Sequence, residues 1–239
     1  DELLGPICYR RDIDEMEGNV LATYRTERIC LDLEEDEMRD YEANRAVYIQ
    51  FLHANRINLS APRGWNQFLL ACARQAGGRE ALRAYLTQRR LAQTCRAKLR
   101  QVWTLLRRHA GERILCFTAD NRTAYELGQR FYLPVITHHT KITERRVLLD
   151  AFRAGDLPVL VTSRVLNEGV DVPEASVGIV VSGSGSIREH VHRLGRILRP
   201  AAGKQAVLYE LISYGTAEWN VSDRRRQHRA YERPDSMPE

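Results

Sequence analysis

The 239-residue chain contains no run of about 18 consecutive apolar residues, which excludes a membrane-spanning helix. Its first residues, Asp1 to Pro6, lack the positive start and apolar centre of a signal peptide. An initiating Met is missing too, and the expectation is a piece of a longer polypeptide. Cysteines are few and odd in number: Cys8, Cys30, Cys72, Cys95 and Cys116, no two close in sequence. That argues against a disulfide framework or a zinc site and for a reducing, cytoplasmic setting in which the thiols act as small buried apolar groups. A phosphate-binding Gly-x-x-x-x-Gly-Lys-Ser/Thr loop is absent. Gly203-Lys204-Gln205 is no substitute, lacking the upstream glycine and the magnesium-holding hydroxyl and preceding a strand instead of a helix. No Asp-Glu-x-Asp or Asp-Glu-x-His follows a strand. This chain by itself is therefore expected not to hydrolyse a nucleoside triphosphate. A free-standing dinucleotide binder is disfavoured because no glycine-rich turn follows the first strand. The adjacent His138 and His139 have no second ligand pair at useful spacing, so no metal site is expected.

Charge is present but unevenly placed. Lys and Arg number 36 against 31 Asp and Glu. Acidic residues dominate from Glu27 to Glu42, with a run at Glu34-Glu35-Asp36-Glu37. From Leu82 to Gly111 there is none, while Arg83, Arg89, Arg90, Arg96, Lys98, Arg100, Arg107 and Arg108 all fall there. Such a stretch can neutralise phosphates and release counterions, although a solvated helix face explains any single arginine equally well.

The C-terminal half alternates between strand and helix signals. Arg113–Thr118, Pro134–Thr137, Val159–Thr162, Val177–Val181 and Gln205–Leu211 read as strands. Asp120 can cap a helix carrying Ala124, Leu127 and Phe131. Thr143 is placed to cap one carrying Leu148, Leu149 and Phe152, with Gly155 as its stop. This pattern predicts an α/β fold, a parallel sheet with helices on both faces, preceded by a mainly helical insert. Cys95, Leu99, Val102, Trp103 and Leu106 form one apolar stripe within that insert. The expected divisions are a linker over 1–35, the helical insert over 36–109, the α/β domain over 110–222 and a flexible tail over 223–239.

Segment 186–200 carries the most chemistry. Ser186 and Glu189 have capping-box spacing, so a helix should begin there. Ile187, Val191, Leu194 and Leu198 fall on one side of its wheel; His192, Arg196 and Arg199 share another, with Arg193 on its flank. Guanidinium groups clustered on one face call for an anion or an acidic partner, and their planar bidentate donors suit phosphate oxygens. The second segment ends a strand at Thr162-Ser163 and continues through Gly169 and Asp171. There, hydroxyls and backbone N–H groups can hold a nucleic-acid phosphate without reading sequence. Thr118 and His138 put polar groups at two more strand ends.

Ile114-Leu115-Cys116-Phe117-Thr118, Val161 to Pro173, and His192-Arg193-Leu194-Gly195-Arg196-Ile197-Leu198-Arg199 occur in the order of helicase motifs IV, V and VI. Together they resemble the C-terminal RecA-like lobe of superfamily-2 helicases. The closer resemblance is to the XPB family, on Ile136 to Thr140, Val165 to Pro173 and Ala206 to Ser213. It covers residues 100 to 226 well and the preceding part more loosely.

The resemblance implies one half of an ATP-dependent, 3′-to-5′ DNA helicase or translocase of DNA repair. Arg196 and Arg199 match its arginine fingers, which offset charge in phosphoryl transfer. Gly169, Asp171, His192 and Arg193 match positions near the nucleotide; Thr118, Thr162, Ser163 and His138 would meet the phosphates of a single strand. ATP with Mg²⁺ would be held mainly by a first RecA-like lobe of the same polypeptide. The implied partners are DNA, as single strand and fork, and a nuclease docking on the helical insert, which resembles a thumb-like element; no membrane is implied. His192 departs from the family, which usually has Gln there. A second reading makes the chain an interaction module that docks a repair partner and has no catalysis of its own.

Overall fold

The computed structural model describes residues 23–163, 175–182 and 205–218. Six strands form one sheet, and every pair in it is parallel: β1 (Thr23–Leu31), β2 (Ile114–Phe117), β3 (Val135–Ile136), β4 (Val159–Thr162), β5 (Val177–Val180) and β6 (Gln205–Ser213). Their order across the sheet is β1-β6-β5-β2-β4-β3. β2 and β5 are buried along their whole length, as central strands covered on both faces must be, and both read as unbroken apolar runs.

Alternation along β2 divides the core. Leu115 and Phe117 point to one face, where α6 (Ile142–Ala154) contributes Leu149 and Phe152. Ile114 and Cys116 point to the other, where α5 (Asn121–Phe131) contributes Ala124 and Leu127. Asp120 caps α5 as its sequence suggests, accepting from the Thr123 backbone N–H at 2.9 Å. Gly155, at φ 89°, ends α6 in the left-handed conformation expected of it. The start of α6 is a correction. Its cap position is Lys141, and Thr143 lies inside the first turn. The chain has already turned at Thr137–Thr140, where the Thr137 N–H donates to the Thr140 hydroxyl, so the helix begins earlier.

The mainly helical stretch holds α1 (Glu35–Ala54), α2 (Gly64–Arg74), α3 (Gly78–Thr94) and α4 (Arg96–Arg108). The first three have a core of their own, in which Tyr48, Phe51, Phe68 and Cys72 pack with Ala81 and Ala84. α4 behaves differently: Leu99, Val102, Leu105 and Leu106 join the core on the α5 face of the sheet. Trp103, grouped with that stripe by spacing, is half exposed and stacks on Phe131 at 5.8 Å instead. β1 falls within the stretch expected as a linker. It pairs with β6 over nine residues and sets Arg28 opposite Glu210.

Candidate functional site

In a parallel sheet every strand ends at the same edge, so the loops after β2, β3 and β4 converge. Three polar side chains link those loops. The Ser163 hydroxyl donates to Asn121 Oδ1 at 2.7 Å, and Asn121 Nδ2 lies 2.8 Å from His138 Nδ1. With the amide donating, His138 Nδ1 is the acceptor, and the neutral ring carries its proton on Nε2, free to donate. Ser163 and His138 line a cleft of about 800 Å³, together with Asn121, Arg89, Arg90 and Arg122.

The cleft's other wall is α3. With its amide oriented to match its neighbours, Gln93 donates to Asp120 Oδ2 at 3.2 Å and accepts from Arg89 Nε at 3.1 Å. That bond ties the end of α3 to the cap of α5. Arg89, Arg90 and Arg122 therefore converge from two elements on the edge where phosphate-binding groups were expected.

Thr118 and Thr162 stand in a different relation to the cleft than the sequence suggested. Both are buried, and their hydroxyls donate inward: Thr118 Oγ1 to Thr162 O and Asp120 O, and Thr162 Oγ1 to Ser163 O. They hold the strand ends in shape; Ser163 is buried too, at the floor of the cleft with its hydroxyl on Asn121, while His138 is exposed. Asn121 and Arg122 were missed because a residue inside a capped first turn gives no chemical signal in sequence. For Arg89 and Arg90 the acid-free stretch was the signal, but it did not sort them from their neighbours.

Ion pairing does that sorting. Arg96 Nε lies 2.8 Å from Glu34, its guanidinium also bonds Asp36, and Arg100 lies 2.6 Å from Glu34. The acidic run at the start of α1 thus neutralises the start of α4. Lys98 is fully buried and paired with Glu218. These three take the structural role, whereas Arg89, Arg90 and Arg122 face the cleft. Burial pushes the Cys116 thiol up to about 12, so it is an inert core group.

Arg196, Arg199, His192, Arg193, Gly169 and Asp171 lie outside the described residues. The last described residues before those segments, Ser163 and Ser182, both sit at the carboxyl edge of the sheet, next to β4 and β5. The Ser182 hydroxyl there accepts from the Ala119 N–H at 3.0 Å. No helix among the described residues is long and apolar enough to cross a membrane.

Residues 97–201 match the helicase conserved C-terminal domain. The fold agrees with solved structures: the Pyrococcus furiosus Hef helicase domain superposes with a TM-score of 0.60 at 16% identity, covering 87% of this chain and 58% of that one. The C-terminal part of the Fun30 ATPase domain gives 0.59 at 10% identity, covering 85% and 89%. The chain is a helicase C-terminal, RecA-like lobe.

Within that class its sequence relatives include XPB and Rad25 DNA 3′-5′ helicases. It is 35% identical to the DNA 3′-5′ translocase XPB2 of Sulfurisphaera tokodaii, over 94% of this chain and 51% of that protein. It is 41% identical to the DNA 3′-5′ helicase XPB of Mycobacterium tuberculosis over 52% of this chain and 23% of the relative. The chain thus spans about half the length of the first relative and less of the second.

Proposed function

We propose that this chain is the second motor lobe of an ATP-dependent, 3′-to-5′ DNA translocase acting in repair. Two sets of groups serve that role. At the sheet edge, the second amide hydrogen of Asn121 and the Nε2–H of His138 donate to the phosphates of a single strand, Ser163 holds Asn121 in place, and Arg89, Arg90 and Arg122 supply the counter-charge. Thr118 and Thr162 hold the strand ends that present these donors. The other set is Arg196 and Arg199, fingers that reach the γ-phosphate of ATP held with Mg²⁺ by a first lobe, with Gly169, Asp171, His192 and Arg193 near the same nucleotide. Bound ATP supplies a phosphoryl group for transfer to water. The protein's contribution is to stabilise the charge spread over that group, which a finger does by about 10³–10⁵ in turnover.

The observation that carries this reading is the convergence of three arginines with Ser163 and His138 at the carboxyl edge of a helicase C-terminal sheet. Its test is fluorescence anisotropy of this chain with a labelled single-stranded oligonucleotide. Binding should be weak and salt-sensitive, and should fall when Ser163→Ala and His138→Ala are combined. Binding unaffected by that pair would show that the strand-end groups do not touch the strand.

The docking alternative has one observation in its favour. Trp65, Leu69 and Leu70 of α2 are each partly exposed, Trp65 with its ring also against Phe68 and Tyr85. A nuclease or other repair partner seated there would lose affinity on Leu70→Asp, while oligonucleotide binding would not change.

A further inference from the structure

Gln93 is a buried amide near the end of α3, set between two charges of opposite sign. Its nitrogen donates to Asp120 Oδ2 at 3.2 Å, and its oxygen accepts from Arg89 Nε at 3.1 Å. Asp120 spends its other oxygen on the cap of α5, where Oδ1 accepts from the Thr123 N–H at 2.9 Å. No other hydrogen bond or ion pair among the described residues joins α3 to α5.

The end of α3 does not need this bridge to stay in place. The Ser213 hydroxyl donates to the Ala92 carbonyl at 2.6 Å, and Ala92 and Cys95 are buried with Leu33 and Tyr41. The bridge acts instead on Arg89. A guanidinium carries five N–H donors, and Gln93 takes one of them. The other four have no protein partner among the described residues, and Arg89 lines the cleft. A half-buried cation beside a carboxylate ordinarily pairs with it, as Arg96 does with Glu34 and Asp36. Here a neutral amide stands in the way. It satisfies Asp120 Oδ2 and Arg89 Nε together and adds no charge of its own, so Arg89 keeps its full charge on the cleft side.

We propose that Gln93 is a positioning residue of the strand-end cleft, a neutral spacer that keeps Arg89 off Asp120 and turned toward a phosphate. The proposal rests on the reading of that cleft as a nucleic-acid site. A small residue at position 93 opens the path between the two charges, and Arg89 closes onto Asp120. A glutamate there pairs with Arg89 itself. Either way the cleft loses one cation while α3 stays where it is.

The test is oligo-dT binding by this chain, followed by anisotropy between about 50 and 200 mM salt, where counterion release is readily measured. Arg89→Gln removes one phosphate contact and should make the slope of log K against log salt shallower by about 0.7. Gln93→Ala should reproduce that change with every cation still present, and the two substitutions together should do no more than either alone. Asp120→Asn supplies the rescue. Asparagine still caps α5 but has no charge to capture Arg89, so Gln93→Ala with Asp120→Asn should recover the parent slope. Gln93→Glu, which leaves no cavity, should lose the same contact and should not be rescued by Asp120→Asn. A parent-like slope for Gln93→Ala beside a shallower one for Arg89→Gln would overturn the spacer and leave the nucleic-acid reading standing. A shallow slope for Gln93→Ala that Asp120→Asn fails to restore would also overturn it, since a purely structural loss is not relieved by removing a charge. No effect of Arg89→Gln would remove Arg89 from the strand site and the spacer with it.

Discussion

Lys98 Nζ lies 2.5 Å from Glu218 Oε2 and 2.8 Å from the Val181 carbonyl, with no part of its side chain exposed. The same Glu218 oxygen accepts from the Ser213 N–H at 3.1 Å. One buried ion pair therefore joins α4, the exit of β5 and the end of β6. Its position explains why α4 is held on the sheet while α1–α3 pack on one another.

Breaking this pair from one side should be severe. A buried charge left without its partner costs about 3–5 kcal/mol, so Lys98→Ala should lower stability by that order in a denaturant melt. Lys98→Met combined with Glu218→Leu removes both charges and should recover much of the loss. A double variant no better than Lys98→Ala would show that packing, and not the charge, sets the cost.

The acidic run gives a pH dependence. Burial works to raise the Asp36 pKa, but the hydrogen bond from Arg96, backbone hydrogen bonds and attraction to Arg96 together outweigh it. The carboxyl therefore titrates below its ordinary value. A depressed carboxylate stabilises the fold above its unfolded pKa and loses that contribution as pH falls through the folded value. Asp36→Asn should accordingly lower Tm at neutral pH, with the gap to the parent closing on acidification. A gap that stays constant into strong acid contradicts this.

Gly128 lets α5 lie against β3. A Cβ there would stand 2.3 Å from Val135 Cγ2 and 3.2 Å from the Leu133 carbonyl, neither of which can swing away. Gly128→Ala should destabilise the protein by about 1–3 kcal/mol despite the better helix propensity of alanine. A Tm at or above that of the parent would mean that the strand gives way easily.

Much of this was legible in the chain itself. Unbroken apolar runs such as Ile114–Phe117 and Val177–Val181 announce buried parallel strands, and Asp120 and Gly155 mark helix ends through chemistry that acts locally. β1 was not legible. Thr23–Leu31 mixes charged and apolar residues because it lies at the edge of the sheet, where charge guards an open side, and its partner β6 is far along the chain. The division of the basic stretch was hidden for a similar reason. Glu34 and Asp36 reach Arg96 from about sixty residues away, and spacing along one helix cannot show which arginines are already neutralised. At the candidate site the strand-end positions were readable, but the inward turn of the Thr118 and Thr162 hydroxyls and the bridging role of Asn121 depend on how three loops meet.

In the proposed motor, Arg196 and Arg199 act on a nucleotide held on another lobe. The most direct measurement is DNA-stimulated ATP hydrolysis by the two-lobed protein carrying Arg199→Ala. Turnover should fall by about 10³-fold or more, with oligonucleotide binding and melting temperature unchanged. Turnover equal to that of the parent protein would contradict that role.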